Sequence, residues 1–343
     1  MVKIVCPNCA ADLEVPPSPI HTCDFCGTAI QVSLMVGPDG SNITGENLTE
    51  EAKSTYIIKD HYIIRCHYNG QEAQSIMEDW IKKVPGAPQD FETSAIITSR
   101  ELKFYPIWVG QYKATSSYVG MDNWPKFSHP ARDRPGWYEH VWYYKREEKG
   151  NIHREYQIPL MALSEKSIPK YLRNYVVTTT GKEFFDMTHV KELGGKVIDS
   201  VYEFDEAKKW MFNNVLNRQA GEMRKEVVSI TNRNDEVEEK DVFYIHFPVY
   251  EVKFSYNNKK YEAYIDGSSG RIIHIDVPIS TQFRLTSILA GGAQVVIGAG
   301  LFIAGIMVPV ITFFGVSAGL GIFGTGITFL SMNFRKGAQE KQT

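Results

Sequence analysis

Two Cys-x-x-Cys pairs thirteen residues apart, a helix-then-strand order that occurs twice, and fifty consecutive residues without Asp, Glu, Lys or Arg predict a multidomain α+β chain with a membrane anchor. The expected order is a small zinc ribbon over residues 1–35, a flexible linker over 36–52 and a first α+β unit over 53–125. A hairpin-containing connection over 126–200, a second α+β unit over 201–280, a two-helix transmembrane hairpin over 285–333 and a basic tail over 334–343 follow.

Composition narrows the function. A chain of 343 residues exceeds one typical domain, so several cores are expected. With 37 Lys and Arg against 40 Asp and Glu the net charge is −3, and no basic tract stands out, which argues against a general binder of polyanions. Four of the five cysteines are clustered, a usage that fits a reducing compartment and thiolates acting as metal ligands.

Cys6-Pro7-Asn8-Cys9 and Cys23-Asp24-Phe25-Cys26-Gly27 each form a tight knuckle whose sulfurs converge on one centre. The segments Asp12 to Val15 and Ile20 to Thr22 are expected to pair as a hairpin that returns the second knuckle to the first. Four thiolates close a tetrahedral shell and leave no position for substrate, so Cys6, Cys9, Cys23 and Cys26 are read as a structural Zn(2+) site. Iron in the same cage is the alternative and would make the module an electron carrier. In so short a module metal binding is folding, so the chain up to about Leu34 is expected to be unstructured without metal. Lys3 is the only Lys or Arg up to Met35, the wrong balance for phosphate, which points the ribbon toward a protein partner.

Val36 to Glu51 is rich in Gly, Asn and Thr and lacks periodicity, which predicts a linker about which the ribbon can move. Tyr56 to His67 reads as a strand, and Asn69 with Glu72 as a capping box that opens a helix. Ala73, Ile76, Met77, Trp80, Ile81 and Val84 share one face of that helix, and Pro85-Gly86 ends it. Strands are expected at Ser94 to Thr98 and Leu102 to Ser117, the latter containing Tyr105-Pro106-Ile107-Trp108 and Tyr112. The order recurs: a helix from Asp205 carrying Ala207, Trp210, Met211 and Val215, a strand pair, then Phe247-Pro248-Val249-Tyr250 with Phe254 placed as Tyr112 is. This is the basis for the duplication. Tyr261 to Ile265, the turn Asp266-Gly267-Ser268-Ser269-Gly270 and Arg271 to Ile275 make a hairpin. A second hairpin is expected from Trp137 to Tyr144 and Ile152 to Leu160 around Glu147-Glu148-Lys149-Gly150-Asn151. The fold of Met161 to Ser200 is left open between helix and strand.

The stretch from Asp205 to Ile275, with its Glu206-Ala207 helix start, its strand from Tyr250 and its Asp266-Gly267-Ser268-Ser269-Gly270 turn, resembles a PepSY module. The whole layout is similar to prokaryotic membrane-anchored proteins that carry a TFIIB-type zinc ribbon and duplicated Tyr-Pro-x-Trp-like repeats. PepSY modules are generally noncatalytic, so the resemblance implies interaction rather than turnover.

No nucleophile with its base, phosphate loop, open metal site or motif of paired carboxylates is recognisable, so the chain is read as no enzyme, with no catalytic residues. The histidines, His61 among them, have no ligand spacing and are read as core or surface residues. Trp124, Arg132, Arg134, Trp137 and Trp142 make the best candidate ligand or single-strand nucleic-acid surface, since rings stack bases and cations hold phosphate.

The uncharged stretch is too long for one helix across a hydrocarbon core of about 30 Å and suits two. Met307-Val308-Pro309 is the natural break, giving Thr286 to Val308 and Val310 to Met332. Arg284, Arg335, Lys336 and Lys341 flank the pair, which predicts a two-span membrane protein with its amino-terminal body and carboxyl end in the cytoplasm, and no signal peptide is read at Met1. Gly300, Ala304, Gly315 and Gly319 have the small-residue spacing of close helix packing, within the hairpin or in an oligomer. The function expected is a membrane-tethered adaptor for an unidentified protein partner, with nucleic-acid binding or electron transfer as alternatives.

Overall fold

A computed structural model describes residues 2–15, 18–34, 53–127, 141–173, 175–307 and 312–332. The ribbon region contains β1 (Val2–Val5), β2 (Asp12–Val15), β3 (Ile20–Thr22) and β4 (Ala29–Leu34). Next come β5 (Lys53–Ile58), β6 (His61–Ile64), α1 (Gly70–Lys83), α2 (Phe91–Ser94), β7 (Ile96–Phe127), β8 (Val141–Met161) and β9 (Lys182–Phe184). The remainder is α3 (Met187–Glu192), β10 (Lys196–Val197), α4 (Phe204–Glu226), β11 (Ser229–Tyr256), β12 (Lys259–Asp266), β13 (Ile272–Ile275), α5 (Thr281–Met307) and α6 (Thr312–Met332). The chain divides into two compact units, one of Met1–Ile64, Phe104–Glu192 and Val197–Phe247, the other of Arg65–Lys103, Leu193–Lys196 and Pro248–Thr343.

In the first unit the sheet order is β8-β7-β11-β6-β9, with β6 parallel to β11 and the β7–β8 and β6–β9 pairs antiparallel. Ala207, Met211 and Val215 recur along one face of α4 and are buried with Trp108, Tyr112 and Tyr244 of the sheet. A second sheet, β3-β4-β5, adds Ile20, Ala29 and Ile58 to the same core. This corrects the expectation of a ribbon that swings on a linker, because half of the ribbon belongs to the body's core. The linker itself, 36–52, lies outside the described residues.

Two predicted hairpins are replaced by other pairings. Asp12–Val15 pairs with Val2–Val5, and Ile20–Thr22 with β4 (Ala29–Leu34), so each knuckle lies within its own hairpin. The turn expected at Glu147 to Asn151 is absent: β8 runs straight through it, in register with β7 from Ile107↔Met161 to Phe127↔Val141. Gly150 serves close approach instead, since a Cβ there would meet the Tyr118 hydroxyl at 2.6 Å. A single strand, β11, likewise stands where a strand pair was expected after α4.

In the second unit α1 begins as predicted, with the Asn69 side chain accepting from the Gln71 and Glu72 N–H groups while Glu72 accepts from Asn69 N–H. Ala73, Met77 and Ile81 are its buried face. The strand expected from Ser94 begins at Ile96, after the short helix α2. Tyr250, Val252, Phe254 and Tyr256 lie on the portion of β11 that pairs antiparallel with β12, which pairs in turn with β13. The predicted turn between β12 and β13 is fastened by Asp266, whose carboxylate accepts from the N–H and hydroxyl groups of Ser268 and Ser269.

Helices α5 and α6 pack antiparallel against one another, and a Cβ on Gly298 or Gly319 would lie 2.6 Å from a backbone nitrogen of the opposite helix. Thr281–Ala304 is long and apolar enough to cross a membrane. Phe314–Thr328 is a shorter apolar stretch, and the predicted break around Pro309 lies outside the described residues. Large side chains such as Leu289, Val296, Ile303 and Phe314 are exposed around the pair.

Candidate metal centre

Each cysteine pair occupies the loop of a short antiparallel hairpin. In the first, Cys6 N–H donates to Ala11 O and Ala10 N–H to Cys6 O, both at 2.9 Å, and Ala10 adopts φ 57°. In the second, Cys23 N–H donates to Thr28 O and Gly27 N–H to Cys23 O, again at 2.9 Å, with Gly27 at φ 75°. The two knuckles are thus the same turn built twice, each leaving through a left-handed residue.

The four sulfur atoms lie within 4.8 Å of one another, with Cys6 Sγ 3.7 Å from Cys26 Sγ and Cys9 Sγ 3.8 Å from Cys23 Sγ. A tetrahedron with metal–sulfur bonds of about 2.3 Å has edges of about 3.8 Å, so the cage fits a four-coordinate thiolate-bound ion. Cys6 and Cys23 are buried, Cys26 half-buried and Cys9 exposed.

The sulfurs do not share one environment. Burial pushes Cys23 up to about 12. Burial also works to raise Cys26, but the Thr28 hydroxyl and N–H, Cys9 and Asn8 outweigh it and hold that thiol at about 6. Asn8 Nδ2 donates to Thr28 Oγ1 at 2.8 Å, and that hydroxyl lies 3.2 Å from Cys26 Sγ, so the second knuckle draws a hydrogen bond from the first. A divalent ion bound here takes all four sulfurs as thiolates.

The predicted ligand surface is divided. Trp124 stands on β7 with 38% of its surface exposed, and the Arg146 guanidinium lies 4.6 Å from its ring centroid. Trp142 is on β8 opposite Lys126, two rungs from the Trp124↔Tyr144 pair. Arg132, Arg134 and Trp137 lie outside the described residues. Of the helix-packing glycines and alanine, Gly319 meets Phe302 and Gly298 across the helix pair, Ala304 and Gly315 are half-buried, and Gly300 faces open space.

Residues that support the second knuckle escaped the sequence reading. His61, 5% exposed, stacks at 4.2 Å on Phe185, the ring that a Cβ on Gly27 would meet at 2.8 Å. Asp199 accepts from Thr22 N–H at 2.9 Å and lies 3.2 Å from Nδ1 of His21. Neither has a sequence signal, because their partners are far away along the chain.

No protein-family model matches the chain, and comparison with curated proteins and with solved structures gives no significant similarity. The fold and site define a multidomain α+β chain with a closed four-cysteine centre and an apolar helix pair.

Proposed function

We propose that this chain is a noncatalytic adaptor tethered to the cytoplasmic face of a membrane, with a structural zinc ribbon that contacts a protein partner. The observation that carries the reading is the closed cage of Cys6, Cys9, Cys23 and Cys26, which has no open coordination position at which a substrate could be activated. Zinc is favoured over iron because only the first knuckle has the proline of an iron-type Cys-Pro-x-Cys turn; the second has Asp24.

The membrane reading is supported by the exposed apolar helices, which are taken as two spans with Arg284 and the Arg335, Lys336 and Lys341 tail on the cytoplasmic side. The duplication is supported by an equivalence within the two aromatic-proline strands. Pro106 O accepts from Ala162 N–H at 2.8 Å, and Pro248 O accepts from Gly267 N–H at 3.0 Å. In each case the donor lies at the end of the strand paired antiparallel to the one bearing the proline, or just beyond it. The PepSY-like second unit would then be a binding surface, and the hairpin an oligomer contact.

Purification of the full chain from native membranes in mild detergent, with and without nuclease, tests the adaptor reading. A protein that survives nuclease and is lost when Cys6 and Cys9 are changed to Ser supports it, whereas substrate-dependent turnover traced to the soluble region sinks it. The second reading, single-strand nucleic-acid binding, is favoured by the exposed Trp124 with its stacked Arg146. Affinity for an oligonucleotide that falls steeply with salt distinguishes it.

A further inference from the structure

The two halves of the cysteine cage are anchored differently. The Cys6–Cys9 knuckle sits on β1 and β2, a two-stranded sheet of its own, whose Ile4, Leu13 and Val15 rest on Ile30 and Val32. The Cys23–Cys26 knuckle is bracketed by groups from outside the ribbon. On its entry side Asp199 holds the Thr22 N–H at 2.9 Å. On its exit side Gly27 lies against the Phe185 ring, which a Cβ there would meet at 2.8 Å; His61 stacks on that ring at 4.2 Å, and its Nε2 meets His246 Nδ1 at 2.9 Å. His246 Nε2 then donates to Ile198 O at 3.1 Å. Because Ile198 precedes Asp199, these contacts form a circuit that starts at the residue before Cys23 and ends at the residue after Cys26. Ile20 and Ala29, on the strands that carry this knuckle, are fully buried with Trp108 and Tyr244.

This inference rests on the reading that the four cysteines hold a metal. We propose that His61 and Asp199 are positioning residues of the metal centre that keep the Cys23–Cys26 knuckle formed without metal, and that the metal is a clasp closing the Cys6–Cys9 hairpin onto it. Most of the ordering cost of a ribbon is ordinarily met by the metal. Here the body meets it for one half, so loss of metal releases residues 2–15 as a unit and leaves β3 and β4 in place. On this proposal, loss of metal releases the first hairpin alone rather than everything up to Leu34.

Amide hydrogen exchange on the full chain in detergent, with zinc ion as the only added probe, tests this. Removing zinc should speed exchange in Val2–Val5 and Asp12–Val15 while Ile20–Thr22 and Ala29–Leu34 stay protected. Zinc affinity should fall by about 10-fold or more in His61→Phe, which keeps a ring on Phe185 but has no N–H for His246, and in Asp199→Ala. Asp199→Asn, which keeps an acceptor for Thr22, should recover most of that loss. The Cys6→Ser/Cys9→Ser chain should keep β4 protected. Exchange that rises throughout residues 2–34 on zinc removal, or unchanged affinity in both His61→Phe and Asp199→Ala, overturns the clasp. A wild-type chain that binds no zinc overturns the metal reading beneath it.

Discussion

Nε2 of His61 lies 2.9 Å from Nδ1 of His246, both rings buried, and the pair carries fewer protons than two free imidazoles would at mildly acidic pH. A carbonyl can only accept, so His246 Nε2 donates to Ile198 O and its Nδ1 accepts from His61. Burial drives His246 down to about 4, and burial together with the neighbouring His246 drives His61 well below the usual range.

The sign of the pH effect follows. The unfolded chain takes up these protons below about 6.5, whereas the folded chain does not take up the His246 proton until about 4. Stability is therefore full above pH 6.5 and falls as pH drops toward 4, by on the order of 3 kcal/mol for His246 alone. His246→Gln keeps an acceptor and a donor but does not titrate. Denaturant midpoints of the two chains should diverge between pH 6.5 and 4, the wild type falling faster; parallel profiles would refute the neutral pair.

Gly319 and Gly300 separate packing from mere spacing. A Cβ at 319 would lie 2.6 Å from Phe302 N and 2.7 Å from Gly298 O, both fixed backbone, while a Cβ at 300 meets nothing within 4 Å. Gly319→Val should lower the thermal midpoint in detergent by an amount equivalent to about 1–3 kcal/mol, and Gly300→Val should leave it nearly unchanged. Equal effects would show that the helices are not packed on this face.

Gln219 is fully buried, accepting from Tyr156 OH at 2.8 Å and donating to Ser116 Oγ at 3.1 Å, which itself donates to Asp235 at 2.6 Å. Gln219→Met fills similar space but leaves Tyr156 without its acceptor, a cost of about 1–3 kcal/mol. Adding Tyr156→Phe removes the orphaned hydroxyl, so urea unfolding of the double variant should show less than the sum of the single losses.

Local signals were legible and long-range ones were not. The four cysteines and the Asn69–Glu72 capping box are set by spacings of three residues, and both stand where sequence places them. Lys149-Gly150-Asn151 has turn composition, yet β7 offers β8 an uninterrupted partner and Gly150 accommodates the Tyr118 ring. The docking of the ribbon depends on Ile20 and Ala29 meeting Trp108 and on Lys53–Ile58 pairing with β4, contacts that hydrophobic periodicity does not encode. His61 and His246 are 185 residues apart, and nothing near either one points to the other.

Metal analysis of the full chain purified from salt-washed membranes tests both the zinc and the membrane anchor. The chain should stay with the membrane fraction, carry one zinc per chain, and lose that zinc when Cys23 and Cys26 are changed to Ser. Recovery of the chain in the wash, or a purified chain with iron or no metal, would contradict these expectations.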